Sequence, residues 1–247
     1  MEVHTHPHTA RKKWTHYFWE FLMLFLAVFC GFLAENLREH KIEKNREKQF
    51  MESMVEDLKA DTASITMLNQ LRDSRHKMFD SLTRALIEKN YAVNWSAVYY
   101  WGRSISRRRF FFSSDGTLQQ LKNSGGLRLI SNKLIADKII AYDVLNRSIQ
   151  HQQDLEEIQL DEYRVLAGKI FDAGIIQQMT HFQDSSLFER PEGNPQLKDN
   201  SPGLLNEIAN KLNYWAVSSA FLRQMLVQLK EKAETLIGLI QKQYHLQ

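Results

Sequence analysis

The segment WTHYFWEFLMLFLAVFCGFLA, residues 14–34, is the only part of this 247-residue chain with the length and apolar composition to cross a bilayer. It contains no proline, and about 20 mostly apolar residues are enough for a membrane-spanning helix. Trp14, Tyr17 and Trp19 supply amphipathic rings of the kind that lie at the boundary with the lipid headgroups. The sequence therefore predicts one transmembrane helix over residues 14–35.

Three basic residues, Arg11, Lys12 and Lys13, precede this segment, as they would in a cleavable secretory signal. Cleavage requires small residues immediately before the cut, but the bulky Phe29 precedes Cys30 and disfavours a lipoprotein site. The sequence favours an uncleaved anchor, and a cleaved signal is the alternative interpretation.

Basic residues flank the apolar segment on both sides. The rule that basic flanking residues stay in the cytoplasm therefore gives two opposing orientations. Arg11, Lys12 and Lys13 favour a cytoplasmic position, beside lipid headgroups, for the histidine-rich tail of residues 1–13. The opposing basic residues follow the segment: Arg38, Lys41, Lys44, Arg46 and Lys48. We expect a bacterial inner-membrane protein with its tail inside and its larger domain in the periplasm.

The rest of the chain has the composition of a water-exposed globular domain. The sequence is 43% hydrophobic and 25% charged, and residues 36–247 are enough for one domain with a sizeable core. The net charge of only +3 argues against a nucleic-acid-binding protein, which usually carries a concentrated basic excess. The single cysteine, Cys30, excludes an intrachain disulfide.

An apolar stripe follows the charged residues that come after the membrane segment. Its members are spaced for the most part in alternating steps of three and four residues: Met51, Met54, Leu58, Ile65, Leu68, Phe79, Leu82 and Leu86. The same register includes Asp61, Arg72 and Arg75, which would be unusual in a coiled-coil core. We expect the stripe to drift locally, so that Leu71 and Met78 replace the polar residues in the core.

The second half of the chain predicts further long helices. One begins near Ser131, a residue type that caps helix N-termini, and the last carries a heptad seam with one polar member, Ser219. The seam consists of Leu205, Ile208, Leu212, Trp215, Ser219, Leu222, Leu226, Leu229, Ala233, Leu236 and Ile240. Residues 181–203 hold three of the four prolines and predict a long irregular loop before this helix.

The predicted fold is therefore all-α. The transmembrane helix continues into a bundle of long antiparallel helices, because helical periodicity extends over most of the remaining sequence. We expect the seam of the last helix to pack against the stripe that begins at Met51, or against its own counterpart in an oligomer.

Charged residues at the ends of the apolar segment are candidate functional residues. A carboxylate in hydrocarbon is costly and often marks a functional site, and Glu20 lies inside the segment. The simpler interpretation is that Glu20 reaches the headgroup layer and pairs with His16 or Lys13. In the alternative, Glu20, Glu35 and Arg38 line or flank a pore formed by several copies of the chain.

The N-terminal tail is a candidate metal site. His4, His6 and His8 alternate along it, and imidazole nitrogens bind Zn²⁺, Ni²⁺ or Cu²⁺. A flexible tail lacks the surrounding contacts that orient metal ligands, so a soluble tail that happens to be rich in histidine is the alternative.

Three arginines, residues 107–109, precede three phenylalanines, residues 110–112. Such a block could bind phosphate headgroups or a nucleic-acid strand, but the simpler interpretation places the phenylalanines in the core and the arginines in solvent. The sequence contains no metalloprotease, di-iron, phosphate-loop or nucleophile-elbow motif. We expect a protein that is not an enzyme and needs no cofactor.

The opening MEVHTHPHTARKKWTHYFWEFLMLFLAVFCGFLAENLREH, with EKNREKQFMESMVEDLKADT at residues 43–62, resembles a family of uncharacterised single-span membrane proteins from Bacteroidota. That family shares a histidine-bearing tail, a short aromatic-rich span and a charged helix ending in an EDLKxD-like stretch, here residues 56–61. DGTLQQLKNSGGLRLISN, residues 115–132, is similar to a second signature of the group. The resemblance implies that the tail is native, and it implies no activity.

These features favour a membrane-anchored, non-enzymatic interaction, scaffold or sensor protein. Its expected partners are the lipid bilayer and either further copies of itself or another membrane protein, and not a nucleic acid. The alternative is a subunit of an oligomeric membrane channel or ion-coupled complex.

Overall fold

A computed structural model describes residues 14–88, 94–107, 109–180 and 188–246. Within these ranges the chain forms six α-helices, and its only β-type pairing is an isolated bridge between Thr180 and Phe188. The prediction of an all-α fold is confirmed. The helices are α1 (Trp14–Ile87), α2 (Trp95–Ile105), α3 (Gly116–Asn123), α4 (Lys133–Ile170), α5 (Ala173–Gln178) and α6 (Pro202–Tyr244), with a 3-10 turn at Gly126–Leu129.

The chain divides into two compact units, Met1–Phe50 and Met51–Gln247. Helix α1 contributes residues to both. In the first unit, residues 14–35 are helical throughout, and residues 36–50 continue the same helix with mostly exposed side chains. The second unit contains the buried core.

Within the second unit, helix α6 runs antiparallel to both α1 and α4. The contacts that show this fall in reverse order along the paired helices: Asp73–Arg223 and Phe79–Trp215 between α1 and α6, and Asn132–Gln243 and Glu162–Lys211 between α4 and α6. This part of the predicted antiparallel bundle agrees with the structure.

Helices α1 and α4 instead run in the same direction. Asp61 contacts Tyr142, and further along both helices Arg72 contacts Glu156. Between α2 and α3 the chain returns along these two helices, with Arg109 beside Arg72 and residues 113–114 beside Asp61. Because of that return, α4 starts from the same end of the bundle as the α1 stripe.

The two apolar stripes both lie in the bundle core. All eight apolar members of the α1 stripe are buried, and so is every member of the α6 seam except Leu205, which is half-buried. Trp215 is the largest fully buried side chain, and its ring lies 4.9 Å from that of Phe79 and 5.5 Å from that of Tyr163. Offset and edge-to-face ring pairs of this kind add specific packing to the burial itself.

The expected drift of the α1 stripe is wrong. Leu71 is 36% exposed and Met78 is half-buried, whereas Asp61, Arg72 and Arg75 are 1%, 2% and 7% exposed. The regular register therefore continues through the polar residues. It can do so because each of them has partners on neighbouring elements, which are described below.

Local sequence signals explain where α4 begins. Its N-cap is Asn132 and not Ser131, because the Asn132 side-chain oxygen accepts hydrogen bonds from the backbone N–H groups of Leu134 (3.0 Å) and Ile135 (3.4 Å). Just before it, Gly125 adopts a left-handed φ of 71°, which favours glycine, and starts the 3-10 turn.

Part of the predicted loop before α6 falls within the described residues. Residues 188–201 contain no helix, and α6 starts with Pro202 in its first turn, where the missing N–H of proline costs no hydrogen bond. Residues 181–187 of the predicted loop lie outside the described part of the chain.

Candidate functional site

The apolar segment of α1 exposes nearly all its side chains. Of residues 14–34, only Leu22 is half-buried and the rest are exposed. Among the described residues, α1 alone is long and apolar enough to cross a membrane, and none of its most apolar window is buried. A helix that is apolar on all sides needs an apolar environment, which supports anchoring in a bilayer. The type of membrane and the side occupied by the bundle remain predictions.

The carboxylates near the ends of the segment have partners on the same helix. His16 Nε2 lies 3.1 Å from Glu20 Oε1, the pairing that the simpler interpretation expects. Glu35 accepts from Arg38 through both of its oxygens, one of them at 2.9 Å from Arg38 Nε. These exposed pairs form within a single chain, and a pore lined by Glu20, Glu35 and Arg38 remains a prediction.

Two predicted groups lie outside the described residues: Arg11, Lys12 and Lys13, expected at lipid headgroups, and His4, His6 and His8, expected to bind metal. In the part of the chain that the structure describes, no three or more His, Cys, Asp or Glu side chains are grouped so as to hold a metal ion.

The centre of the bundle contains an ion pair that joins all three long helices. Arg72 of α1 donates to both carboxylate oxygens of Glu156 on α4, at 3.0 and 3.1 Å. Its Nη1 also donates to Ser219 Oγ on α6 at 3.1 Å, and its Nη2 donates to the Arg109 backbone oxygen at 3.2 Å. A buried pair of this kind is costly to break from one side, because the remaining charge stays uncompensated.

Arg75, one turn further along α1, is buried against aromatic rings. Its guanidinium carbon lies 4.4 Å from the ring centre of Trp215 and 5.4 Å from that of Phe79. Burial lowers the pKa of Arg75 to about 10, although the Glu156 carboxylate opposes the effect. Arg75 is thus charged at neutral pH, and the negative faces of the rings offset part of its lost hydration.

Asp61 organises a second buried polar cluster. Its carboxylate accepts from Ser113 Oγ at 2.6 Å, from the Ser114 backbone N–H at 2.7 Å and from the Tyr142 hydroxyl at 2.5 Å. Burial raises the pKa of Tyr142, and the negative charge of Asp61 raises it further. Tyr142 therefore stays a neutral donor to the carboxylate over a wide pH range.

Residues 109–117, here called the crossing segment, are fixed to α1 and α4 largely by side chains. Gln153 accepts from the Phe111 N–H at 2.6 Å and donates to the Phe111 carbonyl at 3.1 Å, as a neighbouring strand would. Asp57 accepts from the Thr117 N–H at 3.1 Å, at the start of α3. These bonds satisfy buried backbone groups that have no strand or helix partner.

The structure shows how deeply most residues of the arginine and phenylalanine block are buried, whereas binding of headgroups or nucleic acid by this block stays a prediction. Phe111 is 1% exposed and belongs to the core, but Phe112 is 78% exposed. Arg107 and Arg109 are half-buried, and Arg108 lies outside the described residues. The expectation of three buried phenylalanines therefore holds for Phe111, fails for Phe112 and is met in part by Phe110, which is half-buried. The expectation of solvated arginines is also met only in part.

The crossing segment brings together two of the three stretches that carry the family resemblance. Asp57 and Asp61 belong to residues 56–61, and they bind the chain immediately before and inside residues 115–132. Sequence reasoning noticed the polar residues on the α1 stripe but missed Glu156, the partner of Arg72, and Gln153, which binds the Phe111 backbone. The available signal was the largely polar run of residues 151–157 in α4, which contains both Gln153 and Glu156.

Comparison with known proteins supplies no further constraint. No protein-family model matches the chain, and no curated protein or solved structure shows significant similarity to it. The resemblance to Bacteroidota membrane proteins stays a prediction, and any proposal about function rests on the geometry described above.

Proposed function

We propose that the chain is a membrane-anchored, non-enzymatic helical module that holds the bundle of Met51–Gln247 at a bacterial inner membrane, as an interaction, scaffold or sensor domain. One observation carries the proposal. The same helix, α1, contains a largely apolar, exposed segment of membrane-spanning length and supplies the core stripe that begins at Met51.

Leaving the apolar side chains of residues 14–34 in water would be energetically costly. Burying one large apolar side chain is worth about 1.5–3 kcal/mol, and soluble proteins rarely expose contiguous apolar patches above a few hundred Å². The segment carries many such side chains, with Leu24 at 69% and Val28 at 71% exposure. Lipid would cover them without any partner protein.

The buried ion pair supports an interaction or scaffold role for the bundle. Buried polar groups can fix the register of packed helices, which is our hypothesis for Arg72 and Glu156. Ser219 extends the same network to α6, so all three long helices share it. A bundle with one register presents constant surfaces to a second copy of the chain or to another membrane protein.

We further propose that the bundle faces the periplasm, supported by the basic residues Arg11, Lys12 and Lys13 before the apolar segment. The test uses a Cys30→Ser chain with Ser148→Cys, an exposed site on α4. A membrane-impermeant maleimide should label Ser148→Cys in intact spheroplasts. Labelling only after lysis would place the bundle in the cytoplasm and contradict this orientation.

Membrane anchoring is tested by fractionation with an alkaline carbonate wash. Leu24→Arg combined with Val28→Arg should release the chain from the membrane pellet, because each arginine near the middle of a span costs about 2.5–3.5 kcal/mol. The matched control is Met67→Arg, a similarly exposed apolar position on the same helix at 63% exposure. The control should stay in the pellet; a wild-type chain in the soluble fraction would refute the proposal.

A further inference from the structure

A cavity of about 320 Å³ lies in the second unit between α2, the last turns of α4 and α5. We call it the arginine cavity, because Arg103 of α2 and Arg164 of α4 are among the residues that line it. The residues used below are Gly102, Arg103, Tyr163, Arg164, Gly168 and Phe171. Its volume is at the lower end of the range of about 300–1,000 Å³ seen for small-molecule sites.

One side of the arginine cavity is apolar. Phe171 and Ile176 line it together with the small residues Ala167 and Gly168, which leave room where larger side chains would fill it. The hydroxyl of Tyr163 already donates to the backbone oxygen of Gly102 at 2.9 Å. This side therefore offers contact area to a hydrocarbon or aromatic group.

The cationic side centres on Arg103. Its Nη1 donates to Ser106 Oγ at 3.1 Å, its guanidinium lies 4.3 Å from the ring centre of Phe188, and its buried Nε has no partner among the described residues. Burial lowers the pKa of Arg103, and the positive charge of Arg164 lowers it further. No carboxylate of the described residues lies within ion-pair distance of Arg103, so its charge is not compensated there.

Arg164 adds a second positive charge to the same cavity. Its Nη2 donates to the Ser106 backbone oxygen at 2.9 Å, and its Nη1 pairs with Asp161 at 3.0 Å on the exposed side of α4. Among the described residues that line the arginine cavity, none is acidic. The two arginines therefore favour an anion, which would relieve their mutual repulsion.

We propose that the arginine cavity binds a small organic carboxylate, with the carboxylate at Arg103 and Arg164 and an apolar or aromatic body against Phe171 and Ile176. Planar guanidinium groups match carboxylates in shape and charge. The inference goes beyond the proposed function, because the cavity lies within Met51–Gln247 and its binding needs no particular membrane orientation.

The test uses the full chain in lipid nanodiscs and 4-fluorobenzoate as the probe, followed by ¹⁹F NMR line broadening against empty nanodiscs. The wild-type chain should show saturable binding. Neutral 4-fluorobenzamide should bind at least about tenfold more weakly, since it lacks the charge-assisted bond. Inorganic phosphate at the same concentration should fail to displace the probe, because it lacks the apolar body.

Three variants locate the site. Arg103→Gln and Arg164→Gln should each weaken 4-fluorobenzoate binding by about tenfold. Gly168→Leu keeps both arginines but fills the space, and a Cβ there meets nothing within 4 Å, so the helix accepts the side chain while binding is lost. Arg147→Gln, an exposed arginine on α4 outside the cavity, removes the same charge and should leave binding unchanged.

The absence of saturable 4-fluorobenzoate binding to the wild-type chain would overturn the proposal. So would equal binding by 4-fluorobenzamide, displacement by phosphate at equal concentration, or unchanged affinity in both Arg103→Gln and Gly168→Leu. None of these results bears on membrane anchoring, which the carbonate fractionation tests separately.

Discussion

The two parts of helix α1 use apolar and polar residues in opposite ways. Residues 14–34 expose apolar side chains on every side, whereas from Met51 to Leu86 the helix buries an apolar stripe on one side. The second part also buries Asp61, Arg72 and Arg75, although exposed polar residues surround the stripe. Periodicity shows which side of a helix packs against protein, and its absence over residues 14–34 indicates a surrounding solvent that is itself apolar.

The largest expected effect concerns the buried ion pair in the second part of α1. Arg72→Met should lower the free energy of unfolding by about 3–5 kcal/mol, because the buried Glu156 carboxylate then loses the cation that is hydrogen-bonded to both of its oxygens. The measurement is denaturant unfolding of the full chain in detergent, followed by circular dichroism. Adding Glu156→Leu should recover much of the loss; a double variant as unstable as Arg72→Met would contradict the pairing.

Substitution of Asp61 tests whether another buried polar residue on the stripe also stabilises the folded bundle. Asp61→Asn keeps the size of the side chain but weakens bonds from Ser113, Ser114 and Tyr142, and should cost about 2 kcal/mol. The control, Asp154→Asn on the exposed surface of α4, should leave the stability unchanged. Equal effects of the two substitutions would show that burial at Asp61 is unimportant.

A smaller effect is expected at alkaline pH, where the stability of the fold should fall as pH rises. The pKa of Tyr142 is raised in the folded state, while an unfolded tyrosine ionises near about 10. Above that pH the unfolded state loses the proton first, so stability falls as pH rises, and below it this group contributes no pH dependence. Tyr142→Phe should make the alkaline decline shallower, and Tyr214→Phe, which is 72% exposed, should not. Parallel curves for wild type and Tyr142→Phe would contradict the assignment.

The smallest expected effect belongs to an exposed ion pair between α1 and α6. Arg223 lies 2.7 Å from Asp73, but both side chains are about half exposed. Arg223→Ala should therefore change the free energy of unfolding by about 1 kcal/mol or less, and added salt should reduce the difference further. A loss as large as that of Arg72→Met would show that position in the bundle, and not burial, decides the cost.

Much of this fold follows from sequence patterns that act locally. The unbroken spacing of the α6 seam predicts a buried helical stripe, and ten of its eleven residues are buried. The direction of α4 relative to α1 does not follow, because it depends on the path of the crossing segment. The partner of Arg72 also cannot be read from spacing, since Glu156 is 84 residues away along the chain.

The same limit applies to the candidate sites. The apolar segment and the pairing of Glu20 with His16 follow from composition and an i,i+4 spacing. The arginine cavity does not, because Arg103 and Arg164 come from separate helices and the small residues beside them have no distinctive sequence pattern. Only packing of α2 against the end of α4 brings these residues together.

The most direct test of the central claim uses the single cysteine, Cys30, within the apolar segment. It is exposed on the isolated helix, so only lipid would shield it from a hydrophilic maleimide. In isolated, broken membranes Cys30 should stay unlabelled until detergent is added, while Ser148→Cys in a Cys30→Ser chain should react at once. Labelling of Cys30 at the same rate as Ser148→Cys, without detergent, would contradict a membrane-spanning segment.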